Sequence, residues 1–143
     1  YYRWIAFADP DIKNFYQFTL EAYQNQIWER QKERLTEFRD LVKAQGAELL
    51  VVTFPFINAL GSDYSYAAVH QQLDSHWQGL DIPHLDLLDT YQGQTAEQLR
   101  VNKYDAHPNE SAHAMAAEAI GDFLRSQREN APAPEADQSP PEE

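Results

Sequence analysis

The sequence predicts an α/β fold, a layered sandwich in which helices cover a parallel sheet. Helical and strand-like patterns alternate between residues 20 and 124. The continuous apolar run at 48–54 is typical of a strand buried on both faces of a parallel sheet. The last helical pattern is rich in alanine, which allows close packing on a sheet. Right-handed crossovers are expected to join the strands.

The first predicted element is one long amphipathic helix over 20–45. Its apolar residues recur at helical spacing, the charged run ERQKER (29–34) lies opposite them, and Gly46 follows as a stop signal. The apolar positions are Leu20, Ile27, Leu35, Phe38, Leu41 and Val42. The strand ELLVVTF (48–54) comes next, and Pro55 ends it.

The middle of the chain predicts a second amphipathic helix over 66–80, with Ser62 or Asp63 as its cap. The segment IPHLDLLD (82–89) predicts a second strand. A short helix is expected from Thr95, because Gln98 lies at the capping-box spacing. The clearest helix covers 112–124, where apolar residues follow the i, i+3, i+4, i+7 rule.

Composition limits the classes of partner. The chain has 143 residues, a net charge of -12 and no cysteine, so nucleic acid is not an expected partner and disulfides, thiolate metal sites and cysteine nucleophiles are excluded. No apolar run reaches the roughly 20 residues that span a bilayer, so membrane association is not expected. One domain over 1–126 and a disordered, acidic, proline-rich tail over 127–143 are predicted.

The stretch YDAHPNESAHA (104–114) places His107 immediately before the last helix. Pro108 and Asn109 are typical of a helix start, and Asp105 is the nearest carboxylate that could hold the imidazole of a general base. A metal site is less favoured because His107 and His113 are not at i, i+4 and no third ligand has a recognisable spacing. Spacing alone favours a plain helix start with an exposed histidine.

The segment DAHPNESAHAMAAEAIGDFL, with the preceding TFPF and IPHLDLLD, resembles the C-terminal half of the SGNH or GDSL-type serine hydrolases, most strongly over 101–124. The resemblance implies the flavodoxin-like three-layer α/β/α sandwich of that family, of which this chain is the C-terminal part. It also implies hydrolysis of an acyl or O-acetyl ester of a small molecule or carbohydrate, with His107 as base, Asp105 as its orienting residue, and no cofactor or metal. Acyl transfer to another alcohol by the same residues stays open.

The chain departs from the family pattern in two ways. The commonest family spacing puts the aspartate where this chain has Tyr104, so Asp86 and Asp89 are kept as reserves for Asp105. The Gly-Asp-Ser nucleophile motif and the oxyanion-hole motifs are absent, so the serine is expected outside this chain. Ser62 follows a strand as a nucleophile would, but it is interpreted as a helix cap.

Further residues are assigned from their position along the chain. Pro55 and Asn58 lie in the loop after the first strand, which is expected to line the substrate pocket, and Asn109 adjoins His107, so these three are the candidate substrate-binding residues. Of the other histidines, His70 and His76 are interpreted as solvated, and His84 and His113 as structural. An aromatic cluster at 1–7 is interpreted as a packing surface.

The alternative function is a non-catalytic α/β module or partner subunit. Two strands are too few to cover three or four helices, so we expect pairing with a missing N-terminal half or with another copy of the chain. Tyr1 is not a normal initiator, which favours truncation or processing. The sequence leaves the compartment open, with an extracytoplasmic location favoured.

Overall fold

A computed structural model describes residues 15–130. The aromatic cluster at 1–7 and residues 131–143 of the predicted tail lie outside this range. The elements in chain order are α1 (Phe15–Ala22), α2 (Gln26–Ala44), β1 (Val51–Thr53), a 3₁₀ helix (Ile57–Ala59), α3 (Ala67–Gly79), β2 (His84–Asp86), α4 (Ala96–Leu99), β3 (Arg100–Asn102), β4 (Asp105–Pro108) and α5 (Glu110–Asn130).

Strands β1 and β2 pair in parallel, with Thr53 opposite Asp86. The predicted α/β class with a parallel sheet is therefore confirmed. Both strands are shorter than the predicted 48–54 and 82–89, and their side chains are half-buried, not fully buried. The reason is that the parallel sheet has two strands within the described residues, so each strand has a neighbour on one side only.

Different groups occupy the two faces of this sheet, because side chains alternate along a strand. Val52 and Leu85 pack against the core cluster on one face, while Asp86 contacts helix α3 on the other. The buried centre of that cluster consists of Ile57, Leu87, Tyr91, Leu99, Ala112 and Ala116. Most of these residues follow the carboxyl ends of the strands, so the core supports the loops gathered there.

The predicted helix over 20–45 is two helices, α1 and α2, separated at Tyr23–Asn25. Asn25 is extended, with φ -135° and ψ -170°, and its side chain accepts a hydrogen bond from the N–H of Ile27. An asparagine that caps a new helix competes with continuation of the old one. Apolar periodicity alone does not register that competition.

The end of α2 is as predicted. Gly46 has φ +70°, and its N–H donates to the carbonyl of Lys43 while the N–H of Ala47 donates to the carbonyl of Val42. These two hydrogen bonds form a Schellman motif, which needs a left-handed residue and therefore favours glycine. The turn leads the chain toward β1.

The apolar face predicted for α2 is largely exposed. Trp28 is the buried residue of this helix, whereas Ile27, Phe38 and Leu41 are 48%, 52% and 65% exposed. Helical spacing identifies an amphipathic helix, but it does not say whether a neighbour covers the apolar face.

The predicted cap of α3 is wrong. The residue before the helix is Tyr66, which makes no side-chain cap hydrogen bond, and Ser62 and Asp63 lie in the turns before it. The ring of Tyr66 packs against Phe56 instead, with centroids 4.9 Å apart. Aromatic packing thus occupies the place that a short polar cap was expected to fill.

The segment before the last helix, to which no strand was assigned from the sequence, is a β-hairpin in which β3 and β4 pair antiparallel. The short helix α4 has the predicted capping box between Thr95 and Gln98. Helix α5 continues to Asn130, four residues beyond the domain boundary predicted at 126. The helix therefore includes the first part of the segment predicted to be disordered.

Candidate active site at the start of helix α5

Asp105 and His107 form a hydrogen-bonded pair on β4. Oδ1 of Asp105 lies 2.6 Å from Nδ1 of His107 and also accepts the His107 N–H at 3.2 Å. Residues two apart on a strand lie on the same face, so the Asp-x-His spacing brings the two side chains together here.

The pair is open on the imidazole side. The His107 side chain is 85% exposed and that of Asp105 is 28% exposed. A carboxylate only accepts hydrogen bonds, so in the neutral ring Nδ1 donates to Asp105 and Nε2 carries the lone pair. Within residues 15–130, no hydrogen bond to Nε2 of His107 competes with a substrate or nucleophile.

Asn109 fixes the position of the pair relative to helix α5. Its Oδ1 accepts the N–H of Ala112 at 3.0 Å, which confirms the predicted helix cap, and its Nδ2 donates to the carbonyls of Gln98 and Arg100. Pro108 belongs to β4, one residue before the cap. Asn109 was also predicted to bind substrate; these contacts commit its side-chain amide to the protein.

The start of helix α5 is attached to the hydrophobic core. Ala112 is fully buried, and its carbonyl accepts a hydrogen bond of 2.9 Å from the hydroxyl of Tyr91. Tyr91 is itself buried and follows β2. The start of helix α5, next to the pair, is therefore attached to the core.

The hairpin lies beside the segment that follows β1. Strand β4 and helix α4 both lie against the 3₁₀ helix, and Nη1 of Arg100 donates to Oδ1 of Asn58 at 2.9 Å. Asn58 is thus next to the hairpin and bonded to Arg100, and Pro55 is buried. In an α/β sheet this edge, at the carboxyl ends of the strands, is where ligands bind.

A second group of polar residues was missed by the sequence analysis. Both carboxylate oxygens of Asp86 lie 2.8 Å from Nδ1 of His70, Nε2 of His70 lies 2.9 Å from the Tyr64 hydroxyl, and that hydroxyl accepts the N–H of Phe56 at 3.0 Å. We call these groups the Asp86 network. His70 is 5% exposed, so its interpretation as a solvated histidine is wrong. Asp86, a reserve partner for His107, binds His70 instead.

A parallel arrangement lies next to it on the same face of the sheet. Nδ1 of His84 lies 3.0 Å from Asp74, and Nε2 of His84 lies 2.8 Å from the hydroxyl of Thr53. This Asp74 network agrees with the structural role predicted for His84. The signal for both networks was the spacing: His70 and Asp74 are one helical turn apart, and His84 and Asp86 are two apart on a strand.

The environment shifts the pKa of Asp86, Tyr64 and His76, among other groups. Burial raises the pKa of Asp86, but hydrogen bonds from His70 and the Leu88 N–H, with the charges of His70 and His84, lower it overall. Burial raises the pKa of Tyr64 to about 12. Burial, with Lys32 and Arg39, lowers the pKa of His76; this ring packs on Trp28, so its interpretation as solvated is also wrong.

The remaining candidates are placed as follows. Asp89 and His113 are exposed, and Ser62 lies in an exposed turn. Among the described residues, no serine hydroxyl is hydrogen-bonded to a histidine, and no three His, Cys, Asp or Glu side chains are grouped so as to hold a metal ion. None of the helices in this part of the chain is long and apolar enough to cross a membrane.

Comparison of the chain with protein-family models, with curated proteins and with solved structures found no match.

Proposed function

We propose that His107 and Asp105 are the general base and its orienting carboxylate in an SGNH-type hydrolase of carboxylic esters. In this proposal the chain forms the C-terminal part of a three-layer α/β/α sandwich, and the serine nucleophile lies outside residues 1–143. The observation that carries the proposal is the 2.6 Å contact between Nδ1 and Oδ1, with the imidazole otherwise exposed.

The proposed reaction follows from the direction of the hydrogen bond in the pair, which leaves the lone pair on Nε2 of His107. Nε2 of His107 takes the proton of the serine hydroxyl as its oxygen attacks the ester carbonyl, and Asp105 stabilises the resulting imidazolium. The imidazolium returns that proton to the departing alcohol, which leaves an acyl-serine. Water is then deprotonated by the same nitrogen and attacks the acyl group, releasing the carboxylic acid and restoring the serine.

Two features of the protein suit an ester substrate. Phe54 and Phe56, in the segment after β1, are 44% and 37% exposed, and they offer an apolar surface to an acyl group. The start of helix α5, where backbone N–H groups are concentrated, adjoins His107. Neither feature selects a particular acyl group or alcohol.

A fluorophosphonate probe that labels activated serines tests the proposal. Chain 1–143 alone is expected to remain unlabelled, and a polypeptide that adds upstream sequence with a Gly-Asp-Ser motif is expected to be labelled at that serine. In that longer polypeptide His107→Ala should abolish labelling and lower kcat by several orders of magnitude. His113→Ala, which removes an exposed histidine on the adjoining helix α5, is the matched control and should leave both unchanged.

Other outcomes of this experiment reject parts of the proposal. Labelling of Ser62 in chain 1–143 that is lost in His107→Ala would place the nucleophile inside the chain. Equal labelling of the longer polypeptide with and without His107 would remove the catalytic role of the pair.

A non-catalytic module that completes the sheet of another polypeptide is the second candidate function. Two observations favour it: β1 has a neighbouring strand on one side only within the described residues, and Ile27, Phe38 and Leu41 of α2 leave an apolar stripe exposed. Absence of serine labelling in every longer polypeptide, together with stable binding of a strand-bearing partner, would select this function over hydrolysis.

A further inference from the structure

We propose that His70 and Tyr64 are positioning residues for the His107–Asp105 pair, acting through the segment that follows β1. This inference rests on the proposed function, because it assigns the two residues to the same site. The segment, residues 54–60, is called the post-β1 segment below. Three steps connect it to His70 on one side and to His107 on the other.

The first step is that the donor and acceptor of each hydrogen bond in the Asp86 network are fixed. The Asp86 carboxylate only accepts hydrogen bonds, so Nδ1 of His70 donates to it and, in the neutral ring, Nε2 accepts the Tyr64 hydroxyl proton. The oxygen of Tyr64 is then available to accept the N–H of Phe56. Every polar group in this sequence of contacts has its partner, which is the condition under which a buried network rigidifies its surroundings.

The second step is that the network ends on the backbone of the post-β1 segment. The N–H of Phe56 is the residue's main-chain donor, so the 3.0 Å hydrogen bond to Tyr64 restrains the path of the chain itself. The next residue, Ile57, is 3% exposed and belongs to the core cluster. The segment is therefore held at two adjacent points, by Tyr64 and by the core.

The third step runs from the segment to the pair. Strand β4, which carries Asp105 and His107, lies against the 3₁₀ helix Ile57–Ala59. Asn58 accepts a hydrogen bond from Arg100, and Arg100 is the Cα partner of Pro108 in the hairpin. A displacement of Phe56 is consequently transmitted to the strand that presents the imidazole.

The Asp74 network supplies a matched comparison. It has the same order of carboxylate, imidazole and hydroxyl, and it joins the same helix α3 to the same sheet. It ends on the side chain of Thr53, within β1, and among residues 15–130 it makes no side-chain hydrogen bond to the post-β1 backbone. Loss of its hydroxyl should remove the Thr53–His84 contact between the two strands without changing the restraint on Phe56.

The test compares Tyr64→Phe with Thr53→Val in chain 1–143 by NMR. Tyr64→Phe should accelerate hydrogen exchange of the Phe56 amide by about fivefold, the factor expected for loss of one ordinary hydrogen bond. It should also shift the ring ¹⁵N signals of His107 and the guanidinium signals of Arg100. Thr53→Val should leave the Phe56 exchange rate and the His107 signals as in the unmodified chain.

Asp86→Asn provides a second disruption from the far end of the network and should reproduce the changes seen in Tyr64→Phe. Faster exchange at Phe56 with unchanged His107 signals in both variants would overturn the proposal. It would show that the network stabilises the post-β1 segment without positioning the pair. Equal changes at His107 in Thr53→Val would overturn it as well, since the effect would then be unspecific. None of these readouts requires ester hydrolysis, so failure of the proposed function in the labelling experiment is a separate result.

Discussion

Asp86 holds His70 by both carboxylate oxygens, each 2.8 Å from Nδ1, and so ties the end of β2 to helix α3. The adjacent contact has the reverse polarity, since Asp74 of the helix binds His84 of the strand. Two histidine–aspartate pairs thus join one turn of α3 to β2, and each element supplies the histidine of one pair and the aspartate of the other. This crossed arrangement fixes α3 on the sheet face where Thr53 and Asp86 lie.

Asp86→Asn should destabilise the protein strongly. The substitution removes the charge that pairs with a buried imidazole, and losses of this kind cost about 2 kcal/mol in the free energy of unfolding. Urea unfolding measures the change. Asp74→Asn is the control: its side chain is 61% exposed, and exposed ion pairs contribute less than about 1 kcal/mol. Equal losses in the two variants would contradict the unequal burial of the pairs.

Acid should remove the contribution of Asp86. Its pKa in the folded protein is lowered from 3.8, chiefly because hydrogen bonds from His70 and Leu88 outweigh the opposing effect of burial. The unfolded chain therefore binds the proton more readily, and the stabilisation is present above the unfolded pKa and is lost as the pH falls through the folded pKa. Urea midpoints across this acid range should fall more steeply for the unmodified protein than for Asp86→Asn. Parallel curves would show that Asp86 is not the group responsible.

Asn109→Ala should weaken the start of helix α5 and the hairpin together. The side chain caps the helix at Ala112 and donates to two carbonyls of the preceding elements. Loss of the cap alone costs about 1 kcal/mol, and the two carbonyls lose their donor in addition. Thermal or urea unfolding gives the total, and Ser111→Ala, at an exposed neighbour, should change it little. A loss no larger than in Ser111→Ala would disprove the anchoring role.

Gly46→Ala should destabilise the protein by about 1 kcal/mol through backbone strain alone. Gly46 has φ +70°, and an added Cβ would meet no atom within 4 Å, so no steric contact contributes. Gly79→Ala is the matched control, since it has equal space and no positive φ, and it should be neutral or slightly stabilising. Urea unfolding measures both variants. Equal changes in their free energy of unfolding would contradict the assignment of strain to position 46.

The order of the elements was largely predictable, because it depends on local patterns. The capping box at Thr95, the stop at Gly46 and the cap at Asn109 are contacts among residues close in sequence, and all three are present. Asp105 and His107 also meet through a local spacing on one strand. The break at Asn25 was missed because apolar spacing continues across it.

The site around the pair depended on contacts between distant residues. His70 and Asp86 are separated by 16 residues, and Arg100 and Asn58 by 42. The spacings on helix and strand indicate which residues share a face, but they do not say that the two faces meet. The exposure of Phe38 and Leu41 was hidden for the same reason, since an apolar face looks identical whether or not a neighbour covers it.

By itself, then, the sequence determined the alternation of helices and strands and the Asp-x-His pair, because short-range sterics and hydrogen bonds decide these features. The helix between β1 and β2 also made parallel pairing the expected class, since parallel strands need such a crossover. Tertiary structure alone decided that His70 is buried against Asp86 and that β4 lies against the segment after β1. Those outcomes depend on which surfaces meet when the chain folds. The free energy gained by burying two surfaces against each other depends on both of them, so the sequence of one segment alone does not reveal it.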